Sequence, residues 1–262
     1  MNLQKLKKLL NEHDIFPDKS LDQHFLIDDS ILKKEVDYAG ITEEDIVLEI
    51  GPGPGILTEF IAPKAKKVIA IEKDQRYKEI LGDLGVEVII GDALKVDFPA
   101  ECNKVLSNLP YSISSQATFK ILDFSPELAV LCYQKEFANR MVATPASRNY
   151  SRLSVNCTVR ANVERLDTVP RGMYWPMPEV DSAIVRLTPK QVDLPPKFDD
   201  ITRALFQHKN KKVRNALIDS YHEIDPDKEK VREWAESLSK VKDTRVINLR
   251  PDEIIELART FN

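Results

Sequence analysis

The chain has little cysteine, little histidine and no long apolar run. Its three cysteines, Cys102, Cys132 and Cys157, form no CxxC pair and have no histidine at ligand spacing. An odd, scattered set excludes a disulfide framework and reads as reduced core residues of a cytosolic protein. The four histidines, His13, His24, His208 and His222, are dispersed too, so no metal site is expected. No stretch approaches the roughly 18 consecutive apolar residues that span a bilayer. Residues 1–10 have amphipathic helical spacing and basic charge, but lack the apolar core and small-residue cleavage site of a secretory signal. There is no internal repeat and no low-complexity segment. A cytoplasmic protein, with no membrane and no metal, is the expectation.

What is present describes a charged globular chain. It has 262 residues, 42% hydrophobic and 31% charged, with a formal net charge of −4. That length accommodates a full α/β domain and a smaller second one. The net charge alone argues against nucleic acid, but the cations are grouped. Lys5, Lys7 and Lys8 form one group; Lys135, Arg140, Arg148 and Arg152 a second; Arg203, His208, Lys209, Lys211, Lys212 and Arg214 a third. Such runs are commonly solvated helix faces; three of them in an acidic chain allow an electrostatic stripe.

Apolar β-branched runs at 46–50, 67–72, 86–90, 105–107 and 128–133 read as buried strands. Helical segments are expected from about Leu57, from Asp74 to Gly82 or Gly85, and over 114–122. Repeated βα units imply a parallel sheet covered on both faces. Runs at 163–169 and 183–187 have no helix between them and read as an antiparallel pair closing the sheet edge. Residues 188–196, rich in proline, look like a linker, and the sequence beyond is helical. Pro251 falls where the first turn of the last helix begins. The expected division is 1–190 and 191–262.

The most informative stretch is Asn108-Leu109-Pro110-Tyr111, at the carboxyl end of the fourth strand. The Asn108 oxygen and the Leu109 carbonyl, just before Pro110, can accept both hydrogens of an exocyclic amine, and Tyr111 can stack on the ring that bears it. An aromatic amine is a poor nucleophile; two acceptors out of the ring plane favour a pyramidal nitrogen. Taken alone, the same four residues also read as a capped proline turn. Gly51-Pro52-Gly53-Pro54-Gly55 follows the first strand. Its spacing is G-x-G-x-G, with Ile56 where a dinucleotide enzyme has its third glycine, and its prolines remove donors that a pyrophosphate would use. Glu72 ends the second strand, where an acid can bind ribose hydroxyls, and Asp92 follows the third, where it can accept from an adenine amine. Gly51, Glu72, Asp92 and Asn108 in register suit a nucleoside without phosphates; S-adenosylmethionine fits, its sulfonium attracted to acceptors and aromatic faces.

Five segments together resemble the adenine-N6 dimethyltransferases of small-subunit ribosomal RNA, the KsgA-like family, in an archaeal form. They are Leu21-Asp22-Gln23-His24-Phe25-Leu26, Leu48 to Thr58, Asn108 to Ser114, Met173 to Ser182, and the basic stretch from Phe206 to Leu217. The resemblance covers nearly the whole chain. It implies a Rossmann-like class I methyltransferase domain with a mostly parallel seven-stranded sheet, followed by a small helical domain that binds rRNA. It implies that His24, Leu26, Gly51, Glu72, Asp92 and Asn108 contact S-adenosylmethionine. Asn108, Leu109, Pro110, Tyr111 and Tyr174 would form the catalytic site, with both tyrosines stacking on a flipped adenine. Lys209, Lys211, Lys212 and Arg214 would meet RNA backbone. The implied substrate is a pair of adjacent adenosines in a hairpin loop near the 3′ end of 16S rRNA, within a pre-30S particle, methylated by a monomer. Three positions depart from the pattern: Asp22 replaces glycine, Tyr174 stands for phenylalanine, and Glu179 stands where lysine is frequent. A large-subunit rRNA methyltransferase, and an assembly or transcription protein without catalysis, remain alternatives; Leu109, the Phe206–Leu217 stretch and the intact Glu72, Asp92, Asn108 and Tyr111 weigh against them.

Overall fold

The computed structural model describes residues 3–261. Nine strands are numbered in chain order: β1 Phe25–Leu26, β2 Ile46–Ile50, β3 Lys67–Glu72, β4 Glu87–Ile90, β5 Lys104–Asn108, β6 Leu128–Gln134, β7 Ala161–Val169, β8 Tyr174–Trp175 and β9 Ser182–Pro189. Seven form one sheet in the order β4-β3-β2-β5-β6-β9-β7. β2 is parallel to both β3 and β5, and β6 is parallel to β5 but antiparallel to β9. The chain thus runs outward from β2 to β4, returns to β5 beside β2, and runs outward the other way. The carboxyl ends of β2 and β5 flank this reversal, the place where open α/β sheets bind ligands.

Burial on both faces explains why these strands read as unbroken apolar runs. Val47, Leu48, Ile69, Ala70, Val105, Leu106, Val130 and Leu131 are all at most 2% exposed. The expected strands at 46–50 and 67–72 coincide with β2 and β3. β5 runs one residue beyond the expected run, so Asn108 is its last residue.

Other elements were not evident from periodicity. A helix spans Asp29–Ala39, capped by Asp28, whose Oδ1 accepts from the N–H groups of Ser30 and Ile31, and ended by Gly40 at φ 53°. Its buried face carries Leu32, Val36 and Ala39, and among them Glu35, an acid that breaks the apolar stripe. β1 and β8 form a separate two-stranded ribbon pairing Phe25 with Trp175 and Leu26 with Tyr174. Two residues are too few for alternation to show.

Two compact units are present: Met1–Ala138 with Asn162–Pro189, and Asn139–Ala161 with Lys190–Asn262. The expected boundary at 190 therefore needs correction for one segment. The helix Arg152–Arg160 belongs with the second unit because Val155 and Val159 pack with Phe198, Ile201, Leu205, Val213 and Trp234. The Tyr150 hydroxyl donates to Leu249 O at 2.9 Å in the same core. Pro251 opens the last helix, Pro251–Arg259, as expected.

Candidate active site

At the carboxyl ends of β2 to β5, all within the first unit, lies an open cleft. His24, Gly51, Glu72, Asp92, Asn108, Leu109, Pro110, Tyr111 and Tyr174 all line it. Leu26 does not: it is 2% exposed, in the core behind the cleft, opposite Tyr174 in the ribbon.

The glycine turn is shaped by close approach. Gly51 and Gly53 have φ of 65° and 55°. A Cβ on Gly53 would stand 3.0 Å from the Phe25 ring, and one on Gly51 would stand 3.4 Å from Pro110. The N–H groups of the turn are engaged within the protein. Gly51 donates to Ile71 O at 2.9 Å, Gly53 to Glu72 Oε2 at 2.9 Å and Gly55 to Pro52 O at 3.0 Å. Pro52 and Pro54 have no N–H, so residues 51–55 retain no backbone donor for a phosphate.

Glu72 is 6% exposed, and its Oε1 accepts the Asp74 N–H at 2.7 Å. Burial pushes its carboxyl above the usual range, against the pull of these backbone bonds. Glu49, on β2, is 2% exposed and accepts from the Thr58 hydroxyl at 2.7 Å. Burial first, and the Glu72 charge second among the raising influences, push it up to about 8. Asp92 is held low, by the Leu94 N–H first and then by Lys73, whose Nζ lies 3.2 Å from Oδ2.

Asn108 donates through Nδ2 to Glu35 Oε2 at 3.3 Å. Its Oδ1 is shut off from solvent and has no hydrogen-bond partner among the described residues. A buried acceptor without a donor is costly and calls for a ligand. The Tyr111 hydroxyl lies 2.6 Å from Ser182 Oγ, and the Tyr174 hydroxyl 3.1 Å from Cys132 Sγ. Both rings are thus anchored at their far ends. Burial pushes the Tyr111 hydroxyl up to about 12 and raises Tyr174 well above its ordinary value, so both stay neutral. His24 stacks on Tyr111 with centroids 6.1 Å apart and has Nδ1 2.8 Å from Pro176 O.

Sequence reasoning missed Glu35, Gln23 and Cys132. Cys132 lies beside Asn108 in the β5–β6 register. Gln23 donates to Asp74 Oδ2 at 2.9 Å and ties the arm to the turn after β3. The available signal for Glu35 was an acid on the apolar face of a capped helix.

The C-terminal cations lie in the second unit and are engaged by its carboxylates. Lys211 Nζ is 2.7 Å from Asp219, Lys212 Nζ 2.8 Å from Asp243, and Arg214 3.6 Å from Glu236. Lys209 donates to Arg148 O at 3.0 Å. Arg148 and Arg245 are exposed and have no carboxylate partner among the described residues. Arg245 bridges to Lys212 through the backbone.

Taken together, the site offers a buried orphan acceptor, two anchored aromatic rings, buried carboxyls and a glycine turn without free donors. It fits a nucleoside bearing hydroxyls and a positive charge but no phosphate, which describes S-adenosylmethionine. Comparison with known proteins agrees. The profile of the family described as ribosomal RNA adenine dimethylase matches residues 17–260. The "probable ribosomal RNA small subunit methyltransferase A" of Methanopyrus kandleri is 47% identical over 98% of this chain and 96% of its own length. Its namesake from Methanothermobacter thermautotrophicus is 46% identical over 96% and 93%. A dimethyladenosine transferase from Plasmodium falciparum superposes with a TM-score of 0.76 at 34% identity, covering 89% of this chain and 95% of that one. The 23S rRNA methyltransferase ErmE superposes at 0.67 with 25% identity, covering 90% and 99%. The chain therefore belongs to the ribosomal RNA adenine dimethylase family, whose members transfer methyl groups from S-adenosylmethionine to adenine in ribosomal RNA.

Proposed function

We propose that the protein dimethylates N6 of two adjacent adenosines in a hairpin loop near the 3′ end of small-subunit rRNA, acting as a monomer in the cytoplasm on a pre-30S particle. The observation that carries the chemistry is the unpartnered, buried Oδ1 of Asn108. A target amine supplies the donor that this oxygen lacks. The Leu109 carbonyl takes the second hydrogen, and together they stabilise the positive charge that develops on nitrogen. Tyr111 and Tyr174 stack on the adenine once it leaves the RNA stack, which is cheap from a loop. Their hydroxyl anchors to Ser182 and Cys132 hold the rings before the base arrives.

S-adenosylmethionine, when bound, supplies an electrophilic methyl group on a sulfonium sulfur. Glu72 accepts from the ribose hydroxyls with the lone pairs that Gly53 and Asp74 leave free, and Asp92 accepts from the adenine amine. His24 and Gly51 border the ligand, and Leu26 supports the arm from the core rather than touching it. The small-subunit target is supported by the names of the relatives from Methanopyrus and Methanothermobacter. The second unit holds RNA backbone. Because Lys211, Lys212 and Arg214 already face carboxylates, Arg148 and Arg245 carry more of that contact than the lysine run does.

The test is to incubate pre-30S particles and large-subunit particles with labelled methyl donor and map the modified bases. Label confined to two neighbouring adenines of a small-subunit hairpin loop supports the reading. Label in large-subunit RNA alone would refute it.

A further inference from the structure

Glu35 stands on the Asp29–Ala39 helix, 2% exposed, and meets Asn108 from beneath the cleft. Its Oε2 accepts from Asn108 Nδ2, while its Oε1, like Asn108 Oδ1, is buried without a partner among the described residues. A carboxylate only accepts hydrogen bonds, a carboxylic acid can also donate one, and an amide offers a donor end and an acceptor end. The pair therefore has two self-consistent arrangements, separated by one proton and a half-turn of the amide.

We propose that Glu35 is the positioning residue for Asn108, and that its proton decides which end of the amide is left for the substrate. The carboxylate takes Nδ2 and leaves Oδ1 for the target amine. The acid donates its O–H to Oδ1 and turns Nδ2 toward the amine, where donor meets donor. One proton passes between Glu35 and solvent, and no other bond changes. The inference rests on Asn108 being the acceptor for the amine.

The surroundings make this proton exchangeable near neutral pH. Burial, and then the charge of Glu49 on β2, push Glu35 up to about 8, against the pull of Asn108. On β6, Glu35 in turn helps to raise Cys132. The cations on the neighbouring strands are engaged elsewhere: Lys104 on β5 lies 2.8 Å from Asp45, and Arg186 on β9 lies 2.8 Å from Glu164. Glu59, on the Thr58–Ile61 helix, is exposed.

The direct test is the side-chain amide of Asn108 in ¹⁵N-labelled protein, followed by NMR from pH 6.5 to 9.5 and assigned with Asn108→Ala. Its resonances should titrate in the wild type and stand still in Glu35→Gln, where the neutral amide partner carries no titrating proton. Single-turnover methyl transfer should rise roughly tenfold from pH 7 to pH 9 in the wild type, following the ionised fraction of a group near pH 8. In Glu35→Gln the rates at the two pH values should agree within about twofold. Glu35→Leu should lower the rate roughly tenfold or more at every pH, with KM for the cofactor changed by less than about threefold. Asn108 resonances that do not move with pH, or move equally in Glu35→Gln, would overturn the proposal. Methyl transfer surviving in Asn108→Ala would instead overturn the reading of Asn108 on which it rests.

Discussion

Asp22 Oδ2 accepts the N–H of Ser112 at 2.8 Å, across 90 residues of sequence. This bond fastens the arm that carries His24 to the turn that follows Asn108. Asp22 holds a left-handed backbone, φ 60°, the conformation that a glycine would adopt without cost. The residue that departs from the family pattern thus keeps the backbone shape and adds a tether.

Two substitutions separate shape from tether. Asp22→Gly keeps the backbone and loses the bond; it should weaken cofactor binding by about 1 kcal/mol, read by calorimetry. Asp22→Ala loses the bond and also strains the backbone, so its melting temperature should fall below that of Asp22→Gly.

Removal of the Asn108 side chain should nearly abolish methyl transfer in a folded protein, because it takes away the acceptor that holds the target amine beside the Leu109 carbonyl. Tyr111→Phe should keep much of the activity, since the ring remains, but should cost about 1 kcal/mol of stability through the lost bond to Ser182. Single-turnover rates and thermal unfolding measured on the same preparations check both halves.

Glu49 gives stability a pH dependence of known sign. Its folded carboxyl titrates near 8, above the ordinary 4.5. A raised acid contributes stability fully below the unfolded value and loses it as pH rises through the folded one. Glu49→Gln keeps an acceptor for Thr58 and removes the titration. It should therefore gain melting temperature relative to the wild type at pH 8.5, by roughly a few degrees, and show no such gain at pH 5. An equal difference at both pH values would argue against a buried, titrating Glu49.

The second unit offers a contrast between engaged and unengaged cations. Arg148→Ala with Arg245→Ala should lower affinity for pre-30S particles and flatten its salt dependence, with an unchanged melting temperature. Reversing Lys211 and Lys212 to glutamate places like charges against Asp219 and Asp243. That pair should lose stability as well as affinity, and calorimetric unfolding beside binding at two salt concentrations resolves the two effects.

The sheet was legible because buried parallel strands leave unbroken apolar runs, and Gly51, Glu72, Asp92 and Asn108 were legible because strand ends are easy to place. Glu35 was not, since nothing local indicates that an acid on a helix will lie beneath an amide 73 residues later. The β1–β8 ribbon escaped for a similar reason: its pairing is long-range and only two residues deep. The engagement of Lys211 and Lys212 by Asp219 and Asp243 is likewise a property of the fold, so the sequence showed a basic run where the structure has ion pairs.

The closed accounting of N–H groups in the glycine turn bears on turnover. Placing two methyl groups on one nitrogen requires the cofactor site to empty and refill between them. A turn whose amides all point back into their own chain offers no donor to an anionic group of a ligand. Losing the methyl group also removes the sulfonium charge and, with it, its attraction to the neighbouring acceptors and aromatic faces. The charged donor should therefore bind more tightly than the neutral by-product, which calorimetry with the two ligands checks.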